Sequence, residues 1–301
     1  MPKLISRRNF LHRTCSAVLS VAAVPAFAAV NPEEQLPSRP IPGTDEAVPV
    51  IGMGNSNAFR EGNRDASWRV IEVFQRYGSR YIDCSGPGRF VVADLVRVHE
   101  LTNDVFLGTY FEVADEPAAR EEARQLLAMT GKTALDLMQA YPEEAVPRWD
   151  TFRHWKDEGL TRYIGVARHQ KEYYEAMMKL MQTGTVDFLQ VNYSPLETEA
   201  EDRILPMAMD LGVAVTINRP FLNGEYFSIV RGHDLPAWAA EFDCTSWAQL
   251  SLKYILSHPA VNCVLTETAN PEHALDNLRG GLGRLPDAKS RQRMVRMLRE
   301  F

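Results

Sequence analysis

The sequence predicts an α/β fold built as a single (β/α)8 barrel, and three observations carry that reading. Short, near-continuous apolar runs rich in β-branched residues alternate with amphipathic helical patterns. Eight such units follow one another from Val48 onward with no linker between them, in a length that suits a barrel of ~250 residues. No Gly-x-Gly-x-x-Gly opens a helix after an early strand, which removes the main argument for an open doubly wound sheet.

Residues 1–28 read as a targeting segment. Ser6-Arg7-Arg8-Asn9-Phe10-Leu11 supplies the paired arginines of a twin-arginine signal, an apolar run extends from Ala17 to Val24, and Ala26-Phe27-Ala28 gives a small-x-small cleavage site. That run is shorter than the ~20 residues needed to span a bilayer, so export to the periplasm without a membrane anchor is expected. Residues 29–47 follow as a leader, polar and proline-bearing at its start, where Asn31 to Pro40 is expected to be mobile. The barrel then occupies residues 48–301.

The strands are placed, in order, at Val48–Gly54, Arg80–Asp83, Asp104–Thr109, Ala134–Gln139, Arg162–Val166, Val186–Asn192, Val213–Asn218 and Val261–Thr266. Each is an apolar run of strand length bounded by turn residues. Between them lie helical repeats, among them Tyr173, Met177, Leu180 and Met181, then Ile204, Ala208 and Leu211. Met177, Met178, Met181, Met207 and Met209 fall mostly at helical spacing and read as core packing, not a copper site. Phe221 to Asp243 is a long connection punctuated by Asn223-Gly224, Gly232 and Pro236, of the kind that builds walls or lids. Asp287 to Phe301 reads as a terminal helix packed on the barrel.

Charge and cysteine content narrow the function classes. Removing the signal takes Lys3, Arg7, Arg8 and Arg13 with it, leaving 29 basic against 39 acidic residues, a formal charge of about −10. With no basic patch, nucleic acid is an unsuitable partner. Cys84, Cys244 and Cys263 remain after cleavage, odd in number and widely spaced, which fits neither a disulfide framework nor a zinc site. No metal-ligand spacing joins the histidines.

The segments Tyr163-Ile-Gly-Val166, Asp187-Phe-Leu-Gln-Val-Asn-Tyr-Ser194, Glu201-Asp-Arg-Ile-Leu-Pro206, Gly212-Val-Ala-Val215 with Asn218-Arg-Pro-Phe221, and Pro271-Glu-His273 with Asn277 resemble the aldo-keto reductase family, in a bacterial branch that carries export signals. The resemblance runs over essentially the whole chain from Val48. It implies a TIM barrel of aldo-keto reductase type, NADP(H) as cofactor, and a catalytic group of Asp and Tyr after the second strand, Lys after the third and His after the fourth. Carried onto this sequence, Asp83 remains, the Tyr position reads Gly88, the Lys position Tyr110 and the His position Tyr141. The active site thus looks degenerate, with most of the tetrad replaced.

In that family Tyr gives a proton to the carbonyl oxygen while Lys, held by Asp, lowers its pKa. Gly88 donates nothing from a side chain, and Tyr110 brings no permanent charge. Asp83, without its cation, is expected to have a raised pKa; Arg80 or Arg89 could replace that cation, and strand alternation does not choose between them. Asp83 reads equally as a functional carboxylate or a turn cap. Tyr110 and Tyr141 read as a ligand wall, or else as replacement acids. Arg168, His169, Asn192 and Tyr193 are placed in the ligand pocket.

Gln190, Arg219, His273 and Asn277 are cofactor contacts if NADP(H) binds. Against that, Leu265-Thr-Glu-Thr-Ala-Asn270 puts Glu267 where the family meets phosphate, and Asn270 adds no cation; NADP(H) is disfavoured by Glu267 and the missing Lys. Two functions follow. The first is an exported barrel that has lost NADPH-dependent carbonyl reduction, a pseudoenzyme that binds a small-molecule ligand or a periplasmic protein. The second is a divergent oxidoreductase using NADP(H) or another bound redox cofactor on a carbonyl substrate.

Overall fold

The computed structural model describes residues 34–54, 59, 61–111 and 115–301, so the signal segment lies outside the described residues. Two strands, β1 (Ser38–Pro40) and β2 (Ala47–Pro49), form an antiparallel hairpin. Eight parallel strands then close a barrel: β3 (Ile51–Met53), β4 (Tyr81–Asp83), β5 (Phe106–Tyr110), β6 (Leu135–Ala140), β7 (Thr161–Arg168), β8 (Phe188–Asn192), β9 (Ala214–Asn218) and β10 (Val261–Thr266), with β10 pairing β3 to complete the ring. All eight expected strands are present. The helices around them are α1 (Arg64–Arg76), α2 (Arg89–Val98), α3 (Glu116–Thr130), α4 (Pro142–Asp157), α5 (Tyr174–Met181), α6 (Ile204–Asp210), α7 (Glu225–Ile229), α8 (Trp247–Leu256), α9 (Pro271–Arg279) and α10 (Ala288–Leu298). The fold is a (β/α)8 TIM barrel.

The start of the barrel differs from expectation. The run Val48–Gly54 is not one strand: its first part pairs back on Ser38–Pro40, and only Ile51–Met53 joins the ring. Pro49 explains the break, because it has no N–H to give a continuing ladder. The leader segment therefore contributes structure from Ser38. Ile41 and Val48 of the hairpin are buried with Tyr81, Leu137, Tyr163, Phe188, Ala214 and Cys263, forming an apolar floor across the amino-terminal end of the strands. Phe106 packs there too, its ring centroid 4.9 Å from that of Tyr81 and 5.7 Å from that of Phe188. Each fully buried ring of this kind stabilises the fold by roughly 2–3 kcal/mol.

Polar contacts latch the hairpin down. The Arg39 guanidinium donates to the carbonyls of Leu256 at 2.6 Å and of Val261, capping the entry to β10. On the other side Arg162 bridges Glu46 and Asp136, and Asp136, itself buried, also takes Lys132 at 2.9 Å and the Leu107 N–H at 2.8 Å.

The helices meet the expected pattern except around α6, where Met209, expected in the core, is exposed. Met177, Met178, Leu180 and Met181 bury the inner face of α5, and Ile204 and Ala208 that of α6, whereas Leu211, just past the end of α6, is exposed. The terminal helix α10 buries Met294 and Leu298 and is capped by Asp287, whose carboxylate accepts the Ser290 N–H at 2.8 Å. Long Phe221–Asp243 folds into a 3-10 turn at Leu222–Gly224, α7, and a second 3-10 segment at Ala237–Phe242. Among the described residues no helix is long and apolar enough to cross a membrane.

Candidate active site at the carboxyl end of the barrel

Strand parity builds the site in layers. Tyr81 faces the apolar floor, so Asp83, two residues on, also points inward, one step nearer the carboxyl end. Asp83 is paired in register with Gly108, and a Cβ at Gly108 would stand 2.9 Å from the Tyr81 hydroxyl oxygen. Gly108 thus leaves room for that ring, and Tyr110, two residues further, points inward roughly 6–7 Å above it. By the same parity Gln139 on β6, Gln190 on β8 and Thr216 on β9 join Asp83 in one buried polar layer. A Cβ at Gly165 on β7 would meet the Phe188 carbonyl at 2.7 Å and Gln139 Cγ at 3.2 Å, so glycine there makes room for the layer.

Hydrogen bonds tie this layer together. Gln139 Nε2 donates to Gln190 Oε1 at 3.0 Å, and Ser85 Oγ donates to Asp83 Oδ1 at 2.5 Å. Gln190 is also a hydrogen-bond partner of both Asp83 and Tyr110. Burial pushes the Asp83 carboxyl up to about 6; the bonds from Ser85 and Gln190 hold it from rising further, Glu267 adds to the rise and Arg89 opposes it. The Tyr110 hydroxyl is pushed well above its ordinary value, first by burial and then by the negative charge of Asp83. Cys84 lies behind Asp83 with its thiol pushed up to about 12 by burial, and donates to the Arg89 carbonyl; it is no nucleophile.

Above the polar layer opens a cavity of about 1020 Å³. Tyr110 and Tyr141 form one wall, with ring centroids 5.8 Å apart. Arg168 lies between two rings, 4.2 Å from the centroid of Tyr141 and 4.8 Å from that of Tyr173, and is paired with Glu143 at 2.5 Å. His169 is held below its ordinary pKa by burial and then by Arg219 and Arg168, so it is neutral at pH 7. The opposite wall comes from the loop after β9, where Arg219, Leu222 and Asn223 all have positive φ (49°, 50° and 54°) and the Arg219 Nε donates to Asn223 Oδ1 at 3.1 Å. Non-glycine residues in that region carry strain, and strain persists where the surroundings fix a working conformation.

Of the residues singled out in the sequence, Asp83, Tyr110, Tyr141, Arg168, His169, Gln190, Arg219 and Glu267 line this one cavity. Gly88 does not; it is a buried helix-start residue whose carbonyl accepts the Val92 N–H. Asn192 and Tyr193 stand apart from the cavity. The Asn192 side chain accepts from Tyr174 Oη at 2.7 Å, and Tyr193 lies on the outward parity of β8 with Leu189 and Val191, so that its Oη meets Glu201 at 2.5 Å and Arg291 between the outer helices. His273 is exposed on α9 and Asn277 is buried there, neither lining the cavity.

Arg80 pairs with Asp104 at the surface, whereas Arg89 lines the cavity, donating to the Gly86 carbonyl at 3.0 Å and paired with Glu122. Sequence reasoning missed Ser85, Glu122, Asn218 and Phe227. Ser85 was the findable one, since a serine two residues after a strand-end Asp is placed to bond it.

The NADP(H) implied by the family resemblance needs donors or cations for its phosphates where β10 leads into α9. In that turn Thr268 Oγ1 accepts the Asn270 N–H at 3.1 Å, and Asn270 Oδ1 accepts the Glu272 N–H at 2.9 Å. These groups are committed internally, Glu267 and Glu272 flank them, and desolvation already raises the Glu267 carboxyl. Residues 265–272 hold two carboxylates and no Lys or Arg, which disfavours a phosphate group in this turn. Among the described residues, no group of three or more His, Cys, Asp or Glu is placed to hold a metal ion.

Known proteins place the chain. A reductase of Escherichia coli (strain K12), described as an NADH-specific methylglyoxal reductase, is 25% identical over 196 residues, 53% of this chain and 58% of that protein. The match therefore spans little more than half of that relative's length. An aldo-keto reductase from Bacillus halodurans superposes with a TM-score of 0.67 at 17% identity, over 88% of this chain and 96% of the other. One from Klebsiella pneumoniae, solved in complex with NADPH, does so at 0.67 and 18% identity, over 85% and 93%. These structural likenesses speak for the fold. Residues 112–292, more than half of the sequence, match the Aldo/keto reductase family itself, and the chain belongs to that family.

Proposed function

We propose that this barrel binds a small organic ligand at its mouth and no longer performs the family's nicotinamide-dependent carbonyl reduction. One observation carries the reading. At the end of β5, where the family resemblance expects a lysine to draw the proton from a tyrosine, stands Tyr110, whose own proton is held by burial and by Asp83. A phenol with a raised pKa is a poor acid toward a carbonyl, and no cation lies in that position to correct it. The acidic, internally bonded turn before α9 supports the same conclusion from the cofactor side. The paired arginines at Arg7 and Arg8 suit export by the twin-arginine route and a place in the periplasm.

The test is a titration of the mature protein with NADPH and with NADH, followed by fluorescence. Binding is expected to be at least about tenfold weaker than in a family member with an intact site, a deficit of about 1.4 kcal/mol or more. A low-micromolar dissociation constant for either dinucleotide would sink the reading.

The alternative, a divergent oxidoreductase, draws on Gln190 and Arg219, expected cofactor contacts that both line the cavity. It requires that the unaltered protein reduce an aldehyde with NADH or NADPH, and that Tyr110→Phe or Tyr141→Phe abolish the activity while the barrel stays folded.

A further inference from the structure

The mouth retains a base and an acid of separated strength, facing one cavity and sharing one amide. Asp83 is 2% exposed, lines the cavity, and has neutral donors, Ser85 and Gln190, as its hydrogen-bond partners. Tyr110 rises one layer nearer the mouth on the neighbouring strand and shares Gln190 with it. The groups acting on Asp83 come from several sides: Ser85 in its own loop, Gln190 from β8, Glu267 from the turn after β10, and Arg89 from α2, itself paired with Glu122. Their balance leaves the carboxyl near 6, so it is mostly ionised at neutral pH and takes a proton readily. Tyr110, by contrast, keeps its proton and has that O–H to donate in a hydrogen bond. Two groups whose surroundings drive their strengths apart in this way divide into base and electrophile.

We propose that the mouth catalyses enolisation of small carbonyl compounds, with the Asp83 carboxylate as base and the Tyr110 hydroxyl as hydrogen-bond donor to the carbonyl oxygen. The Asp83 carboxylate takes the proton from the carbon next to the carbonyl. The C–H electron pair becomes the new C=C bond, and the carbonyl π pair moves onto oxygen, where the Tyr110 O–H stabilises the charge. Return of a proton from Asp83 to carbon completes the cycle, with nothing oxidised or reduced overall. On an α-hydroxy carbonyl compound, return to the neighbouring carbon, with the hydroxyl proton passing to the former carbonyl oxygen, interconverts aldehyde and ketone. No dinucleotide takes part, which agrees with the turn before α9. The proposal rests on the preceding reading, that a small ligand fills the mouth.

The experiment incubates the full-length protein in deuterated buffer with hydroxyacetone, dihydroxyacetone and glyceraldehyde in turn, and follows loss of the proton next to the carbonyl by NMR. Exchange is expected above the buffer rate, rising with pH through about 6, and at least about 100-fold slower in Asp83→Asn. Tyr110→Phe should slow it by about 100-fold while leaving the pH midpoint near its place. Ser85→Ala should move that midpoint upward, since it removes a bond to the charged form. Because the site favours a neutral Asp83, the Asn variant should fold, and circular dichroism checks it; the Tyr110 and Ser85 variants decide if it does not.

Buffer-rate exchange with all three compounds would overturn enolisation, as would exchange that survives in Asp83→Asn. The same samples are assayed for oxidation of NADH and NADPH. Dinucleotide oxidation lost in Tyr110→Phe would overturn the ligand-binding reading as well, whereas absence of both activities overturns enolisation alone.

Discussion

Asp83 is a carboxyl placed where its neutral form is favoured, and that has a cost at neutral pH. Its folded value of about 6 lies above the ordinary 3.8, so the folded state binds the proton more tightly than the unfolded chain does. The associated stability is complete below about pH 4 and is lost as pH rises through about 6. In Asp83→Asn that dependence disappears. Urea unfolding of both proteins at pH 4 and pH 7 should show the unaltered protein losing on the order of 2–3 kcal/mol more than the variant over that range. An identical pH response in the two would mean that Asp83 is not held above its ordinary value.

The cavity side of this picture was legible at residue level for Asp83, Tyr110, Arg168 and Gln190, at or near strand ends, but not for Asn192, which ends β8 and stands apart from the cavity. It was not legible where direction decides. Arg80 and Arg89 both stand close to Asp83 in sequence, yet one turns to Asp104 at the surface and the other lines the cavity. Tyr193 falls with Leu189 and Val191 on the outer face of the β8 run and meets Glu201 and Arg291 there, although it was expected in the pocket.

At the scale of elements, the hairpin β1–β2 decides how the barrel is closed below. Arg39 serves as a single bracket for carbonyls at the entry to β10, and burial lowers its pKa without removing its charge. Arg39→Met should leave those carbonyls without their donor and cost about 1–3 kcal/mol, seen as a lower thermal midpoint and earlier proteolysis in the hairpin. Ligand binding at the mouth should be unchanged, because the apolar floor separates the two; a loss of binding would show that the floor transmits. Parallel strands announce themselves as apolar runs, and all eight barrel strands could be placed on that ground. The hairpin left weaker traces. Pro42-Gly43-Thr44-Asp45 is a turn signal, and Gly43 has φ of 74°, but its flanks are short, proline-bearing and partly exposed, so no alternation marks them as strands.

For the whole molecule, the barrel has two unlike poles, an apolar floor sealed by the hairpin and a polar, aromatic mouth. Proposed export in the folded state would carry both poles across intact. Arg7→Lys with Arg8→Lys should leave full-length protein in the cytoplasm, read by fractionation and mass; normal appearance of the shortened protein in the periplasm would exclude the twin-arginine route. The fold class was legible because eight repeats of one pattern reinforce each other. The ligand is not, because its identity depends on how side chains from six or more separate strand ends converge, and no local pattern in the chain encodes that convergence.

The hairpin has a practical consequence for anyone wishing to fix the protein to a support. Leu36 donates its N–H to the Tyr77 carbonyl at the floor end of α1, so the described chain enters the barrel at the pole away from the mouth. A bead, electrode or second domain attached ahead of Glu34 would hold each molecule by its base. The result would be a lawn of upright cups, every opening turned toward the solution and none pressed against the surface.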